Sequence, residues 1–504
     1  MKYMLGIDIG TQSIRTHIYD EQARLVAGVS TEQYVDIEKP SWASQKAGFW
    51  WNAICRDIKR AIEKAGVRPE EIVSVGCCGH MHGAVAVGRD GRVLMNDVQL
   101  YCDKRSAGIV RKMKETNAEE CYDIVGNIPA PAWFGMKIRW IKDNLPEVYE
   151  KTYKFLTPKD YINFMLTGNA HTDPTEASGA YAMDWRTDEW SDIAIRCLGL
   201  DKEKLPSILK SFSLIGKVST AAAQATGLST KTKVICGCGD MLSSLYICGL
   251  NKPGICVDLT ATASLVSCYA PRPLPDRRVM NLRSVMEGWV PYGELDASGA
   301  AFRWIRDTIA REEAAEARRL GMDEYDYLCG LAQKFPPGAD KLLFMPYMLG
   351  ERTMGSANTK GCYIGLHLGS EIGQMVRAML EGVAFELKRT LDIFKENGCE
   401  IECVYHTAGG AKGALWNQIK ADIYQLPVYT LRIDESSVLG AAVMGGVGAG
   451  IYGDPLEVQK TVFAVDREYL PRREFSGVYG ELYAVFLELH DLLQEPFDKL
   501  AGPV

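Results

Sequence analysis

Residues 5–15 read Leu-Gly-Ile-Asp-Ile-Gly-Thr-Gln-Ser-Ile-Arg, and this stretch decides the fold. The apolar run up to Ile9 predicts a buried strand, Gly10 breaks it, and the alternating pattern that follows predicts a second strand, which is typical of a β-hairpin. Glycine lets the backbone approach a ligand closely, and hydroxyl groups beside consecutive N–H groups suit phosphate oxygens. The turn therefore predicts a phosphate-binding hairpin. An ordinary edge hairpin with a polar turn is the alternative if this stretch is taken alone.

The turn also supplies specific candidate ligands. Asp8 stands at its edge, where a carboxylate can hold a hydrated Mg²⁺ ion, so we expect Asp8 to be the metal ligand. The other polar or small residues of the turn are expected to contact phosphate, and they are Gly10, Thr11, Gln12, Ser13 and Arg15.

A second stretch of similar design lies half-way along the chain. Residues 254–264 again contain an apolar strand, an acid at Asp258 and small or hydroxyl residues, 250 positions after Asp8. That distance is too long for a solenoid repeat and fits two similarly built α/β halves. Two such hairpins predict one ligand, such as a nucleotide, held from both sides.

Length and composition exclude several classes of protein. A chain of 504 residues exceeds the size at which single cores stop growing, so two or more domains are expected. A net charge of -7 without runs of like charge argues against nucleic-acid binding. The fifteen cysteines include no Cys-x-x-Cys and predict buried, reduced thiols. With no signal-like start and no apolar stretch of membrane length, we expect a cytoplasmic protein that binds no membrane.

Hydrophobic periodicity predicts alternating strands and helices in both halves. In the first half, we expect strands over 24–29, 71–78, 84–87 and 232–238, and helices over 49–65 and 241–246. In the second half, we expect strands over 341–347, 401–407 and 428–431, and helices over 301–310, 372–397, 415–426, 438–444 and 478–493, the last ending before Pro496. The irregular, aromatic segment at about 100–199 predicts an insertion that shapes a substrate pocket, with a purely structural cap as the alternative.

Asp240 is the candidate catalytic base. It follows a predicted buried strand and Gly239, so its carboxylate is expected at the strand tip with little steric cover. There it can accept the proton of a hydroxyl group that attacks a phosphoryl group. The alternative role is that of N-cap for the next helix, since Asp is a preferred cap, and the two roles do not exclude each other.

Other polar loops hold further candidates. His80 and His82 are spaced for a metal site, and so for a metal-dependent hydrolase, but no second histidine pair occurs in the chain. Hydrogen bonding of His82 to a polyol hydroxyl is the favoured interpretation. Asp103 and Arg105 either contact a substrate or form a salt bridge with each other, and residues 350–353 either cap a cleft or form surface ion pairs.

These motifs together resemble the FGGY family of carbohydrate kinases, and within it the xylulokinases. The resemblance rests on an ordered series of motifs along nearly the whole chain: Asp8-Ile-Gly-Thr11, Met81-His-Gly83, Pro158-Lys-Asp-Tyr161, Leu166-Thr-Gly168, Gly237-Cys-Gly-Asp240, Gly350-Glu-Arg-Thr353, Gly409-Gly-Ala411 and Leu439-Gly-Ala-Ala442. It implies an α/β fold of two actin-like (ribonuclease H-like) ATPase domains around a central cleft. The expected domains are 1–246, which binds sugar and carries the insertion, and 247–504, which binds ATP.

The resemblance also assigns roles to residues. Asp240 matches the family's catalytic base, and Asp8 matches the residue near Mg²⁺. The expected nucleotide contacts of the second half are Thr262, Gly409, Gly410, Ala411 and Asn417. The expected sugar contacts are Met81, His82, Asp103, Asp240 and Met241.

Three positions depart from the xylulokinase pattern. Met241 stands where Asn is common, so an apolar contact replaces a hydrogen bond to the sugar. Residues 101–103 are Tyr-Cys-Asp where Trp-Asn-Asp is common. Burying a sugar hydroxyl without its partner costs about 1 to 3 kcal/mol, enough to change the preferred sugar. Ala261 replaces a glycine in the second phosphate loop, so either the hairpin does without the conformational freedom of glycine or the affinity for ATP is weakened.

The sequence thus predicts an ATP- and Mg²⁺-dependent kinase of a small ketose or polyol, with a pentulose favoured. Gluconate and other sugar acids are the nearest alternatives, although no extra Arg or Lys stands beside Met81 and His82 to bind a carboxylate. A non-catalytic ATP-binding switch on the same fold is an alternative from another class, and it would leave Asp240 without a role. The sequence leaves the oligomeric state open between a monomer and a homodimer.

Overall fold

The computed structural model describes residues 1–116, 118–433 and 435–502. Two large sheets, one in each half of the chain, form its centre. Within the described ranges, every helix is too short or too polar to cross a membrane.

The described residues of the first half form fourteen strands and ten α-helices. In chain order they are β1 (Tyr3–Ile9), β2 (Ser13–Tyr19), β3 (Leu25–Glu32), β4 (Ser44–Lys46), α1 (Ala47–Ala65), β5 (Ile72–Gly79), β6 (Val85–Val87), β7 (Asp97–Gln99), α2 (Ala107–Thr116), α3 (Ala118–Val125), α4 (Phe134–Asn144), α5 (Pro146–Lys151), β8 (Lys154–Leu156), α6 (Pro158–Thr167), β9 (His171–Thr172), α7 (Pro174–Ser178), β10 (Met183–Asp184), β11 (Glu189–Trp190), α8 (Asp192–Leu198), β12 (Ser207–Ile208), β13 (Leu214–Lys217), α9 (Thr220–Thr226), β14 (Lys233–Gly239) and α10 (Asp240–Ile247).

In the second half, the part of the chain that the structure describes forms nine strands and eight α-helices. In chain order they are β15 (Gly254–Thr260), β16 (Ser264–Cys268), β17 (Met280–Arg283), β18 (Trp289–Leu295), α11 (Gly299–Thr308), α12 (Arg311–Arg319), α13 (Glu324–Ala332), β19 (Leu343–Met345), β20 (Cys362–Ile364), α14 (Ile372–Glu396), β21 (Ile401–Thr407), α15 (Ala414–Tyr424), β22 (Val428–Leu431), α16 (Ser436–Ala449), α17 (Pro455–Val462), β23 (Val465–Tyr469) and α18 (Ser476–Ala501).

The two central sheets share one strand plan. The first has the order β13-β14-β5-β1-β2-β3, in which β1, β5 and β14 run parallel. The second has the order β17-β18-β16-β15-β21-β22-β23, in which β15, β21 and β22 run parallel. In each sheet the central strand, β1 or β15, also pairs antiparallel with the next strand of its own hairpin. This duplication confirms the prediction of two similarly built α/β halves.

Local sequence accounts for the main helices. Ile54 and Ile58 lie on the buried face of α1, and the helix ends at Gly66 in the left-handed conformation, φ 64°. The long α14 buries residues along most of its length against the second sheet and its neighbouring helices. Both helices were predicted within two residues of their observed ends.

The segment at about 100–199, whose sequence pattern is irregular, contains the short helices α2 to α8. One prediction of secondary structure is wrong. Helix α18 does not end before Pro496 but continues to Ala501. Pro496 removes one backbone N–H, and it lies on an exposed stretch of helix where water can satisfy the carbonyl group that this leaves free.

Helix α16 comes from the second half of the chain but packs on the sheet of the first half. A Cβ on Gly76 of β5 would overlap the carbonyl oxygen of Ala441 in α16, and one on Gly6 of β1 would overlap the carbonyl oxygen of Val438. Glycine is required at both places because helix backbone and strand backbone are in direct contact. This contact joins the two halves of the molecule.

We predict that Gly76→Ala lowers the stability of the protein by about 1 to 3 kcal/mol, since an added methyl group must push α16 away from β5. The matched control is Gly480→Ala on the exposed face of α18, where a Cβ meets no atom. The control should be neutral or stabilising, because alanine favours helix more than glycine does. Urea unfolding midpoints measure both, and equal midpoints for the two variants would contradict the packing argument.

Candidate active site

The turn of the β1–β2 hairpin is held from behind by two glutamine residues. The Gln33 side-chain amide donates to the carbonyl oxygen of Gly10, and the Gln33 backbone N–H donates to that of Gln12 at 2.9 Å. The Gln45 side-chain amide donates to the carbonyl oxygen of Thr11 at 2.7 Å. In a trans peptide the N–H group points away from the carbonyl group, so the next amides face the opposite side of the turn. A row of amides turned in one direction suits an anionic phosphate.

The turn between β15 and β16 is backed in a similar way by the start of α11. The backbone N–H of Gly299 donates to the carbonyl oxygen of Ala261 at 3.1 Å. The N–H groups of Ser298 and Ala300 donate to the carbonyl oxygen of Thr262 at 3.1 and 3.0 Å, and Thr262 is exposed at the tip. Ala261 does not have the left-handed φ that favours glycine, so this turn forms without the conformational freedom of glycine at position 261.

Asp8 is a buried carboxylate with one oxygen held and one open. Its Oδ2 accepts hydrogen bonds from Arg15 at 3.1 Å and from the Ser437 hydroxyl at 2.7 Å. Its Oδ1 is buried and has no hydrogen-bond partner among the described residues. Ser437 lies in the first turn of α16, so the second half of the chain orients this carboxylate. An unpaired carboxylate oxygen fits a hydrated Mg²⁺ ion, which takes one or two carboxylates and keeps several waters.

Asp240 follows β14 and opens α10, as the strand and helix patterns predict. One of its oxygens accepts the backbone N–H of Met241 at 2.7 Å, which satisfies a free donor in the first turn of the helix. Withdrawal from bulk water, together with repulsion by the nearby Asp8 carboxylate, raises the pKa of Asp240 to about 7. A carboxylate with this pKa is a far better proton acceptor than an ordinary aspartate at neutral pH.

His82 is positioned as a neutral hydrogen-bond acceptor. Its Nδ1 lies 3.2 Å from the carbonyl oxygen of Gly179, so we assign the proton to Nδ1 and leave Nε2 as the acceptor. Burial and the nearby Lys137 ammonium lower the pKa of His82 to about 3, so the ring is neutral. The ring packs edge-on against Trp133 at 5.3 Å between centroids. Nε2 of His82 is therefore suited to accept a hydrogen bond from a sugar hydroxyl group.

His80 does not join His82 in a metal site. Its ring packs edge-on against Trp50 at 5.3 Å, and burial lowers its pKa to about 3. In the part of the chain that the structure describes, no three His, Cys, Asp or Glu side chains are grouped to hold a metal ion. The metal-hydrolase alternative therefore lacks a set of ligands.

Two methionines lie next to the candidate base. Met81 packs over Gly239, where a Cβ would lie 2.5 Å from the Met81 sulfur atom. Met241 is half-buried in the first turn of α10. The surface beside Asp240 is therefore apolar on both sides of the strand end.

The expectation that Asp103 contacts sugar is corrected by its surroundings. The Asp103 side chain is 1% exposed, and both of its oxygens accept hydrogen bonds from the Arg105 side chain at 2.8 to 3.0 Å. Its Oδ2 also accepts the backbone N–H of Ala43 at 2.7 Å. A carboxylate buried in this way anchors the loop that carries Tyr101, and it has no oxygen left for a ligand.

The glycine turn after β21 lies beside the second phosphate hairpin. Gly409 is exposed, and a Cβ on Gly410 would lie 2.5 Å from the methyl carbon of Thr260. Ala408, just before it, has φ 69° and ψ -160°, a conformation normally reserved for glycine. Strained conformations of this kind persist only where the surrounding packing maintains them, and they are common in functional loops.

Asn417 is not placed to contact adenosine directly, contrary to the expectation. It is fully buried, and its amide donates to the carbonyl oxygen of Ala411 at 2.8 Å. Its side-chain oxygen faces Nδ1 of His406. Asn417 therefore shapes the glycine turn from below.

Comparison with known proteins decides the family. Residues 3–247 match the model of the FGGY family of carbohydrate kinases, N-terminal domain, and residues 262–449 match that of its C-terminal domain. The chain belongs to the FGGY family of carbohydrate kinases. Its fold is therefore the pair of actin-like ATPase domains that the sequence predicted, and the protein is a carbohydrate kinase.

Similar proteins align with nearly the full length of this chain. It is 26% identical to a xylulose kinase of Bacillus subtilis (strain 168) over 97% of both chains. It is 28% identical to a gluconokinase of Bacillus licheniformis over 99% of this chain and 98% of the relative. The crystal structure of xylulose kinase from Rhodospirillum rubrum superimposes with a TM-score of 0.90 at 25% identity, covering 99% of this chain and 100% of that one.

Several functional residues of this FGGY kinase were not found from the sequence. Gln33 and Gln45 lie in strands or loops that looked unremarkable, and Ser437 is 429 positions away from the carboxylate that it holds. Lys137 donates to the carbonyl oxygen of His82 at 3.0 Å from within α4. Of these, only the buried Lys137 had a local signal, since a lysine within the apolar face of a helix is rarely left unpaired.

We predict that the kinase loses activity as pH falls through about 7. Asp240 acts as a base only when ionised, so its raised pKa makes kcat/KM for the sugar fall tenfold per pH unit on the acid side and level off above about pH 8. Steady-state rates at saturating MgATP measure this, with MgADP affinity over the same range as the control. A kcat/KM that stays constant down to about pH 5.5 would exclude this tuning of the base.

We also predict that Ala408→Gly stabilises the protein by about 1 kcal/mol, because the relief of strain exceeds the entropic cost of glycine. The matched control in the same turn is Ala411→Gly, where φ is not left-handed and glycine should only destabilise. Urea unfolding compares the two, and a loss of stability in both variants would refute the strained conformation of Ala408.

Proposed function

We propose that this carbohydrate kinase transfers the γ-phosphoryl group of ATP to a hydroxyl group of a small neutral ketose, a pentulose, with Asp240 as the general base. The observation that carries the proposal is the Asp240 carboxylate, whose pKa is raised to about 7 at a strand end beside Asp8. The names of the xylulose kinase relatives support the choice of a pentulose.

In the proposed reaction, the substrate hydroxyl oxygen forms a bond to the γ-phosphorus while the bond to the β,γ-bridging oxygen breaks. Asp240 accepts the hydroxyl proton, and ADP leaves with the bridging oxygen. Mg²⁺, when bound, would neutralise charge on the phosphate oxygens. Asp8 would hold the hydrated ion through its unpaired Oδ1, while Arg15 and Ser437 fix the carboxylate in place.

The nucleotide would lie between the two hairpins. In our proposal the amides of Thr11, Gln12 and Ser13 and the exposed Thr262 face the phosphates, and the turn at Gly409, Gly410 and Ala411 lies against the adenosine. The N–H group of Gly10 donates to the carbonyl oxygen of Ser13 at 3.0 Å, so Gly10 would contribute its lack of a side chain and not its amide. These assignments are supported by the hydrogen bonds that turn the carbonyl groups of both hairpins away from the open side. We propose the division of domains at residues 246 and 247, with sugar bound by the first and ATP by the second.

The charges near the sugar side favour a neutral substrate over a sugar acid. Arg352 lies close enough to His82 to affect its pKa, but its guanidinium already binds Glu294 at 2.9 Å and Asp296 at 2.6 Å. Lys137 is buried, its pKa is lowered to about 7, and it donates to a backbone carbonyl group. Neither cation is available to pair with a substrate carboxylate. The gluconokinase relative keeps gluconate as the second candidate.

We further propose that the enzyme works in the cytoplasm. Its fifteen cysteines are all free thiols, and fourteen of them are buried or half-buried, which suits a reducing compartment. A homodimer remains a proposal for the oligomeric state.

The proposal is tested by an ADP-release assay over pentuloses, polyols and gluconate. We predict that a pentulose gives the highest kcat/KM, and that Asp240→Asn lowers sugar-dependent ADP release by about 10² to 10⁴-fold with little change in MgADP affinity. The control is Asp323→Asn, because either residue can cap α13. Turnover of the Asp240→Asn variant at the wild-type rate would show that Asp240 is not the general base. A preference for gluconate would overturn the proposed substrate class.

A further inference from the structure

A buried lysine and aspartate lie beneath the second phosphate hairpin. Lys420 of α15 donates to Asp258 at 2.7 Å and to the Thr260 hydroxyl at 2.7 Å, and all three side chains are fully buried. Asp258 also accepts the hydroxyl groups of Thr260 at 2.7 Å and Tyr424 at 3.0 Å. Thr260 is the last residue of β15, so Lys420 holds the base of the hairpin that carries Thr262.

The same ammonium group reaches the glycine turn through two further side chains. Lys420 lies 3.0 Å from Nε2 of His406, which must accept because an ammonium group can only donate. The proton of His406 is therefore on Nδ1, which faces the side-chain oxygen of Asn417. The Asn417 amide then donates to the carbonyl oxygen of Ala411 at 2.8 Å. This directional chain runs without a break from Thr260 to Ala411.

The protonation states of these side chains agree along the whole hydrogen-bond network. An ammonium group has three donors, and Lys420 has three acceptors in Asp258, Thr260 and His406. Burial alone would raise the pKa of Asp258, but Lys420 outweighs it and holds that pKa below its usual range. Burial lowers the pKa of His406 to about 4, which keeps the ring neutral. Each donor meets an acceptor, as a buried polar network requires.

We infer that Lys420 is a positioning residue that joins the phosphate hairpin to the nucleoside turn, so that the second half binds a nucleoside diphosphate as one unit. The inference rests on the proposed function, which places the nucleotide across these two loops. Lys420 does not touch the ligand. It acts through Thr260 on one side and through His406 and Asn417 on the other, and a shift of either loop is transmitted to the other because every link is buried.

The test is isothermal calorimetry with MgADP on the full-length protein. Lys420→Met keeps the volume and removes the connection, and Asn417→Leu cuts the same connection at its other end while leaving the Lys420–Asp258 pair intact. We expect each variant to weaken MgADP binding by about tenfold, and the double variant to weaken it by little more than either one, because both cut one chain. The KM for sugar should change less than about twofold, since the hydrogen bonds that form the network, so far as the structure describes the chain, all join residues of the second half.

The matched control is Tyr424→Phe, which removes a hydrogen bond to Asp258 but lies outside the path from Thr260 to Ala411. It should lower thermal stability and leave MgADP affinity at the wild-type value. If Lys420→Met does not fold, Asn417→Leu alone decides the question. MgADP affinity equal to wild type in the folded variants, or fully multiplicative losses in the double variant, would overturn the inference. Failure of the wild type itself to bind MgADP would overturn the proposed function and the inference with it.

Discussion

The structure depends on the contact between α16 and the sheet of the other half. Because Gly6 and Gly76 leave no side chain between helix and strand, α16 rests directly on β1 and β5. Its first turn brings Ser437 to Asp8, and a Cβ on Gly440 would overlap Ser243 of α10, the helix that Asp240 begins. The two carboxylates of the site are therefore positioned by one helix that belongs, in sequence, to the opposite half. Any rotation between the halves must either preserve this contact or move Ser437 away from Asp8.

The electrostatics of the site follow from that geometry. Two carboxylates held close together and away from bulk water repel each other, so one of them binds a proton more tightly. Arg15 and Ser437 donate hydrogen bonds to the Asp8 carboxylate, whereas Asp240 accepts the backbone N–H of Met241 and is destabilised as an anion by burial and by Asp8. The proton affinity therefore rises at Asp240. In the proposed function, the raised pKa suits Asp240 to accept a proton, and the open oxygen of Asp8 suits a cation.

Local sequence was sufficient for the elements whose signals are local. Alternation around Gly10 predicted the first hairpin, and the spacing of Ile54 and Ile58 predicted α1. The position of Asp240 also followed from a strand, a glycine and a helix in order. In contrast, the role of Asp103 depends on whether Arg105 pairs with it. The sequence alone does not show whether two nearby residues of opposite charge form an ion pair, and in the structure these two do.

Predictions failed where the partner is distant or where solvent decides. Nothing near Asp8 indicates that Ser437 binds it, since the two meet only after both sheets have formed. Pro496 was taken as a helix end because proline usually removes a needed donor, but on an exposed turn water replaces the lost bond. The adenosine contact expected of Asn417 came from the resemblance to the family, whereas the structure buries its side chain in the interior.

The two hairpins show how one backbone design supports different chemistry. Asp8 and Asp258 occupy corresponding positions at the central strands of the two sheets, and in each case donors behind the turn hold its carbonyl groups. Both carboxylate oxygens of Asp258 accept hydrogen bonds, from Lys420, Thr260 and Tyr424, so its charge is balanced within the second half. Asp8 keeps one oxygen without a partner among the described residues. Of the two hairpins, as far as the described residues show, only the first has a carboxylate oxygen open to a cation. In the proposed function this difference is the reason for placing the reacting end of the phosphate chain beside Asp240 and the rest of the ligand at the second hairpin.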